Sequence, residues 1–343
     1  MNKTRTLTEA SLLTAIFIVV TMISIGTGIG YGMYLDYIVP IFYLLIYLRC
    51  KMKYSLISAV SSVTIILFVL GNVGTAIWAS QGIIIGLSCG FFIDRKTSPM
   101  NDLMICTAIA SIIMVFVDVY ASQLIGISFI QEFKTYSAQA MEIMAKYATV
   151  PAGYESVYKD MIFYVCISLL PIGTVVVVYV VGLLAGNRLR MLSKEAKDKY
   201  IMIRNFRLTG RMLYSSGRMF YSVLLFTVLF GIFKRTGHKI PILYLDVILN
   251  CIYYNGIYFM LREGISGIQG FMMISGKSSG TIRMLTIFML ILLLMAYPVV
   301  IPVIIIYFVY IDISYKLRIR FTERLHEIVE DKNSEIMKTY MKK

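Results

Sequence analysis

The chain has 343 residues, of which 58% are hydrophobic and 15% charged, and its formal net charge is +14. Soluble domains carry about 25% charged residues, so a soluble globule is excluded. The positive charges sit in short segments between long apolar runs, which is the pattern of a helical membrane protein rather than of a nucleic-acid binder.

The first apolar run covers about Leu7 to Ile25 and follows Lys3 and Arg5. It is too long for the core of a cleavable signal, and no small-residue cleavage pattern follows it. Ala10 with Thr14, and Ser11 with Ala15, form two small-xxx-small pairs. Such pairs allow close helix approach in lipid, either for internal packing or for docking a partner. A glycine-rich outer turn over Gly26 to Gly32 is expected next. A second span from about Tyr34 to Leu48 ends at Arg49, Lys51 and Lys53, and a third runs from Tyr54 to Leu70.

The fourth span, Thr75 to Ile93, carries Gly82, Gly86 and Gly90, a stripe that predicts close packing. The fifth runs from Leu103 to Ile125 with Asp118 as its only formal charge. The segment from Ser128 to Asp160 places Phe129, Phe133, Tyr136, Ala140, Met144 and Tyr147 at helical spacing, which predicts an amphipathic helix on the outer surface or over a cavity mouth. A sixth span, Met161 to Gly186, contains Pro171.

Residues 187–218 carry nine Lys and Arg against Glu195 and Asp198, so the positive-inside rule places this segment in the cytoplasm. A seventh span covers about Met219 to Phe233. An eighth begins near Ile240 and is interrupted by Arg262 and Glu263, as one long helix or as a span plus a re-entrant piece. The run Met284 to Ile313 holds Pro298 and Pro302, and is either one kinked span or a hairpin. The hairpin places 26 of the 33 Lys and Arg inside, so ten spans are expected, with both termini cytoplasmic. The tail from Lys316 spaces Leu317, Phe321, Leu325, Ile328, Ile336 and Tyr340 as an amphipathic cytosolic helix facing the membrane surface or a partner.

The expected organisation is all-α and polytopic: a six-span half over 1–186, a basic linker over 187–218, a second membrane half over 219–313 and a tail over 314–343. Its lipid-facing spans make the bilayer its first partner.

Chemistry-bearing patterns are scarce. The only histidines are His238 and His326, and there is no HExxH or CxxC. Cys50, Cys89, Cys106, Cys166 and Cys251 lie in or beside apolar runs at no regular spacing, as packing residues and not a metal site. Gly270 to Ser278 resembles a phosphate-binding loop, but five residues separate its glycines where four are required, and no strand precedes it. No catalytic residue, metal or cofactor is expected, and the protein is not expected to be an enzyme. What remains is intramembrane polarity. Asp36, Trp78, Gln81 and Asp118 fall at similar depth in the outer half of their spans, where an aqueous or ligand-binding cavity is the functional reading. Headgroup solvation of Asp36 and of Asp246, and a structural pairing of Asp118, are the bland alternatives.

The opening Leu7-Thr-Glu-Ala-Ser-Leu-Leu-Thr-Ala15 resembles the start of the substrate-binding S components of energy-coupling-factor transporters. The resemblance implies that Ala10, Ser11, Thr14 and Ala15 dock a coupling subunit working with a separate ATPase. Gln269-Gly270 and Tyr310-Ile-Asp312 followed by Arg318 resemble the YybS family of bacterial multi-pass membrane proteins, which joins an S-component-like half to further helices. This implies a location in the bacterial inner membrane and a role in binding or transporting a small solute. A scaffold acting through the basic loop and tail is the alternative.

Overall fold

The computed structural model describes residues 3–28, 34–126, 128–147, 155–236 and 240–341. Those residues are predominantly helical, with no strand among them. The helices are α1 (Lys3–Thr27), α2 (Val39–Leu70), α3 (Val73–Ile93), α4 (Pro99–Ile125), α5 (Phe129–Tyr147), α6 (Glu155–Arg188), α7 (Lys194–Arg204), α8 (Phe206–Thr209), α9 (Gly217–Arg235), α10 (Leu243–Ile274), α11 (Ser279–Tyr315) and α12 (Leu317–Met341). A π-helical turn, Tyr34–Ile38, leads into α2. The expected glycine turn lies largely outside the described residues, as do 148–154 of the outer segment. The side chains of Ala140, Met144, Tyr147, Ile336 and Tyr340 are also outside them.

The chain forms two compact units that interleave in sequence. One comprises Met1–Lys96, Asp102–Ala196 and Gly237–Asn255; the other comprises Thr97–Asn101, Lys197–Thr236 and Gly256–Lys343. The first half of α10 thus belongs to the first unit and its second half to the second.

In the first unit, α2 is a hairpin and not a rod. A straight helix would separate Tyr43 from Ser62 by about 28 Å, yet the Tyr43 hydroxyl donates to Ser62 Oγ at 2.6 Å. The reversal occurs at Lys51, whose backbone is non-helical (φ 63°, ψ 175°). Charges gather there: Arg49 chelates Glu9 at 2.7 and 2.8 Å, and Lys51 meets Asp94 at 2.6 Å. The first arm of α2 lies on α3 along the glycine stripe. A Cβ at Gly86 would stand 2.2 Å from the Pro40 carbonyl oxygen, and one at Gly90 would stand 2.9 Å from Tyr47 Cβ. Helix α1 packs against the hairpin through Thr6, Ala10, Thr14, Phe17 and Thr21. Phe17 meets the ring of Tyr43 edge-on at 5.0 Å.

The second unit is built around residues 197–218 of the basic segment, which are folded onto its helices. The Arg262 guanidinium donates to the carbonyls of Gly210 (2.7 Å) and Leu213. Glu263 accepts the Ser215 N–H at 2.7 Å. Arg318 donates to Asp312 (2.7 Å) and to the Ser215 carbonyl (2.7 Å), stands 3.0 Å from Glu263, and covers the Phe220 ring at 4.1 Å. Arg262 and Glu263 therefore leave α10 unbroken, because both find partners on the adjoining segment. Tyr214 stacks on Phe308 and Phe321, and its burial pushes the hydroxyl well above its ordinary pKa. Over its described side chains, the tail helix α12 buries Leu317, Phe321, Leu325 and Val329. Leu325 and Val329 pack on Ile201, Met202 and Leu213 of the basic segment.

Helix α11 is not straight either. The Gln269 side chain donates to Thr286 near its start, while Gly264, Gly267 and Phe271 lie against Ile304, Phe308 and Tyr315 near its end. Thr286 and Phe308 would be about 33 Å apart in a rod. The start of α11 runs antiparallel to α10 and its end runs parallel to α10, so the chain doubles back between them, in the stretch containing Pro298.

Among the described residues, six helices are long and apolar enough to cross a membrane, or seven if a bent pair is counted as one span.

Candidate functional site

The first unit encloses a cavity of about 580 Å³. Its lining draws on the π-helical turn and on α3, α4, α5, α6 and α10, including Asp36, Trp78, Gln81 and Asp118. The tertiary structure thus brings the four polar or aromatic candidates to one hollow, although they lie on three separate stretches of chain.

They do not have equal standing there. Asp118 is buried and its carboxylate is fully used. The Ser128 hydroxyl donates to Oδ2 at 2.8 Å, and the backbone N–H groups of Phe129 and Ile130 donate to Oδ1 at 2.6 and 3.4 Å. Ser128 in turn accepts the Gln131 N–H at 3.3 Å. Asp118 and Ser128 together satisfy the free N–H groups that open α5, and the negative charge faces the positive end of that helix. The sequence signal for this was Ser128-Phe-Ile-Gln131, which has capping-box spacing.

That cap fixes the first turn of α5 across the cavity. Phe129 reaches the Trp78 ring at 5.0 Å. Ile130 and Phe133 join Val115, Phe163, Ile167, Val247 and Cys251 in one apolar cluster. The start of α5 therefore forms a wall of the hollow, in contrast to a helix lying free on the surface.

Asp36 and Gln81 are different. Neither makes a hydrogen bond or ion pair with any described residue, and both line the cavity. Asp36 is exposed and marks the open side, together with Phe129, Leu169 and Leu170. Ser111, Ile167 and Cys251 are drawn from its buried or nearly buried side. The Ser111 hydroxyl accepts from the Asn255 amide at 2.9 Å.

Residues from α10 were not anticipated here, because the basic segment suggested that everything after it formed a separate half. Asp246, expected near the headgroups, is tied to Tyr164 by a short hydrogen bond and to the Asn250 amide at 3.0 Å. These contacts fasten the start of α10 to the first unit.

The four small residues of α1 do not form a single docking face. Ala10 and Thr14 are buried against the neighbouring hairpin, and the Thr14 hydroxyl donates to the Ala10 carbonyl at 2.7 Å. Ser11 and Ala15 are exposed. The two pairs are offset by one residue, which on an α-helix is about 100° of rotation, so one pair turns inward and the other outward.

The description "Predicted membrane protein (DUF2232)" matches residues 12–308, which is most of the chain and spans α1 to late α11. The chain belongs to this family. As a DUF2232 protein it is a membrane-embedded chain of many apolar helices, in contact with lipid. Neither a curated protein nor a solved structure matches it significantly. The cavity and the folded basic segment of this DUF2232 chain both lie mainly within the matched residues.

Proposed function

We propose that this DUF2232 protein binds a small solute in the cavity of its first unit and serves in its uptake, as a non-enzymatic S-like subunit working with a coupling subunit and a separate ATPase. The observation that carries the reading is the pair Asp36 and Gln81, polar groups without a partner among the described residues, on the wall of an otherwise largely apolar hollow. A concave apolar site with a few placed polar groups is the usual form of a small-molecule site. The resemblance of the first span to S components, and of the late residues to the YybS family, agrees with it. The proposed setting is the bacterial inner membrane, with both termini in the cytoplasm. A partner for α1 would meet Ser11 and Ala15, the exposed pair.

The test uses protein extracted from its native membrane. Native mass spectrometry should find a reproducible small adduct on the wild type and lose it in Gly173→Phe. Gly173 lines the cavity, and nothing stands within 4 Å of an added Cβ, so the bulky ring fills space without a first collision. An adduct retained by a folded Gly173→Phe variant overturns the reading.

A second reading, a scaffold acting through cytosolic surfaces, draws on the packing of α12 against the basic segment, which makes one folded element of them. Reporter fusions at Lys343 test its premise: an extracytoplasmic signal removes it.

A further inference from the structure

Resting on the solute-binding reading above, we infer that the cavity of the first unit selects an organic cation with an apolar, aromatic-compatible body. Two carboxylates, Asp36 and Asp118, line the cavity, and no Lys, Arg or His does so among the described residues. Their charges are not equivalent. The Asp118 charge is absorbed by two N–H groups, a hydroxyl and the N-terminal end of α5. Asp36 makes no hydrogen bond or ion pair with a described residue, so among the described residues one negative charge stands unpaired at the open side.

The same cavity is also lined by aromatic rings. Trp78, Phe129, Tyr37 and Phe133 contribute rings, and Trp78 meets Phe129 in an edge geometry at 5.0 Å. Aromatic faces attract cations and accept flat apolar bodies, whereas an anion would meet a carboxylate and the negative faces of the rings. The Gln81 carboxamide adds a neutral group able to donate and accept, which orients a ligand without changing its charge preference. A metal ion is not the fitting occupant, since one carboxylate and one carboxamide on a wide apolar wall supply too few oxygens to replace its water.

The chain reports on its own site, because Trp78 is its only tryptophan. The protein is placed in nanodiscs of uncharged lipid and titrated with three probes that share a benzyl group: benzyltrimethylammonium, benzyl alcohol and phenylacetate. Tryptophan fluorescence is followed, with thermal unfolding as a second readout. The cation should change the Trp78 signal saturably and bind about tenfold or more tightly than the alcohol, as expected for Coulombic attraction to a carboxylate together with cation–π contact, and phenylacetate should bind most weakly. Asp36→Asn should bring the cation down to the affinity of the alcohol, while Asp36→Glu retains the preference. Glu132→Gln, an exposed acid on α5 outside the lining, should also retain it.

Saturable binding of the alcohol or of phenylacetate at least as tight as that of the cation overturns the charge assignment and leaves solute binding standing. A cation preference unchanged in folded Asp36→Asn does the same. No saturable response to any probe, in fluorescence or in unfolding, overturns the organic-cation assignment, while solute binding stands or falls by the adduct test on Gly173→Phe.

Discussion

The Phe129 N–H donates to the Asp118 carboxylate at 2.6 Å. This bond makes a buried carboxylate of α4 the anchor of the next helix. Losing a helix cap costs about 0.5–2 kcal/mol. Asp118→Ala should therefore loosen the start of α5, seen as faster hydrogen exchange at Phe129 and Ile130, with only a small loss of overall stability. Asp118→Asn keeps an acceptor oxygen and should exchange at a rate between the two. Unchanged exchange in Asp118→Ala would remove the anchoring role.

The glycine stripe on α3 gives a second test. An alanine Cβ at Gly86 would stand 2.2 Å from the Pro40 carbonyl oxygen, against backbone that cannot step aside. Overpacking of this kind costs about 1–3 kcal/mol. Gly86→Ala should lower the midpoint of thermal unfolding. Gly173→Ala, in open space, should leave it equal or raise it, since alanine favours helix over glycine by about 1 kcal/mol. Equal midpoints for the two variants would contradict the close approach of α3 to α2.

Lys51 holds the α2 hairpin in a backbone conformation (φ 63°, ψ 175°) that only glycine adopts without strain. Strain of this sort is about 1–3 kcal/mol. Lys51→Gly should relieve it and stabilise the protein in urea or heat. The ion pair that is lost involves a lysine side chain 54% exposed, and exposed pairs contribute about 0–1 kcal/mol. Lys51→Ala keeps the strain and loses the pair, so it should be the less stable of the two. The reverse order would show that the turn is relaxed.

In the second unit Arg318 faces two carboxylates with little water. Its side chain is 11% exposed and that of Glu263 is 0% exposed. Removing one member of a buried ion pair costs about 3–5 kcal/mol, because the other charge stays behind. Arg318→Met should destabilise strongly and release α12 from the basic segment, giving early protease cleavage within 317–332. Adding Glu263→Gln should recover part of the loss. A double-mutant cycle measures that recovery; strict additivity would mean that the two groups do not interact.

The sequence by itself determined that the chain is helical, lives in lipid, and carries its densest positive charge at 187–218. Those properties follow from length of apolar run and from charge count, which need no knowledge of contacts. It also supplied the residues around the cavity, because Asp36, Gln81 and Asp118 are polar where hydrocarbon makes polarity costly. Only the tertiary structure decided what each residue does. In a membrane helix every face is apolar, so hydropathy does not mark the side that turns inward. Ala10 and Ser11 look alike in the sequence, yet one is buried and the other exposed. Helical spacing likewise cannot show that α2 and α11 double back, or that the first half of α10 returns to close the cavity. Those depend on pairings between residues far apart in the chain, such as Tyr43 with Ser62 and Asn255 with Ser111. The same holds for Asp118: its charge was visible, but the helix end that absorbs it was placed beside it by the fold.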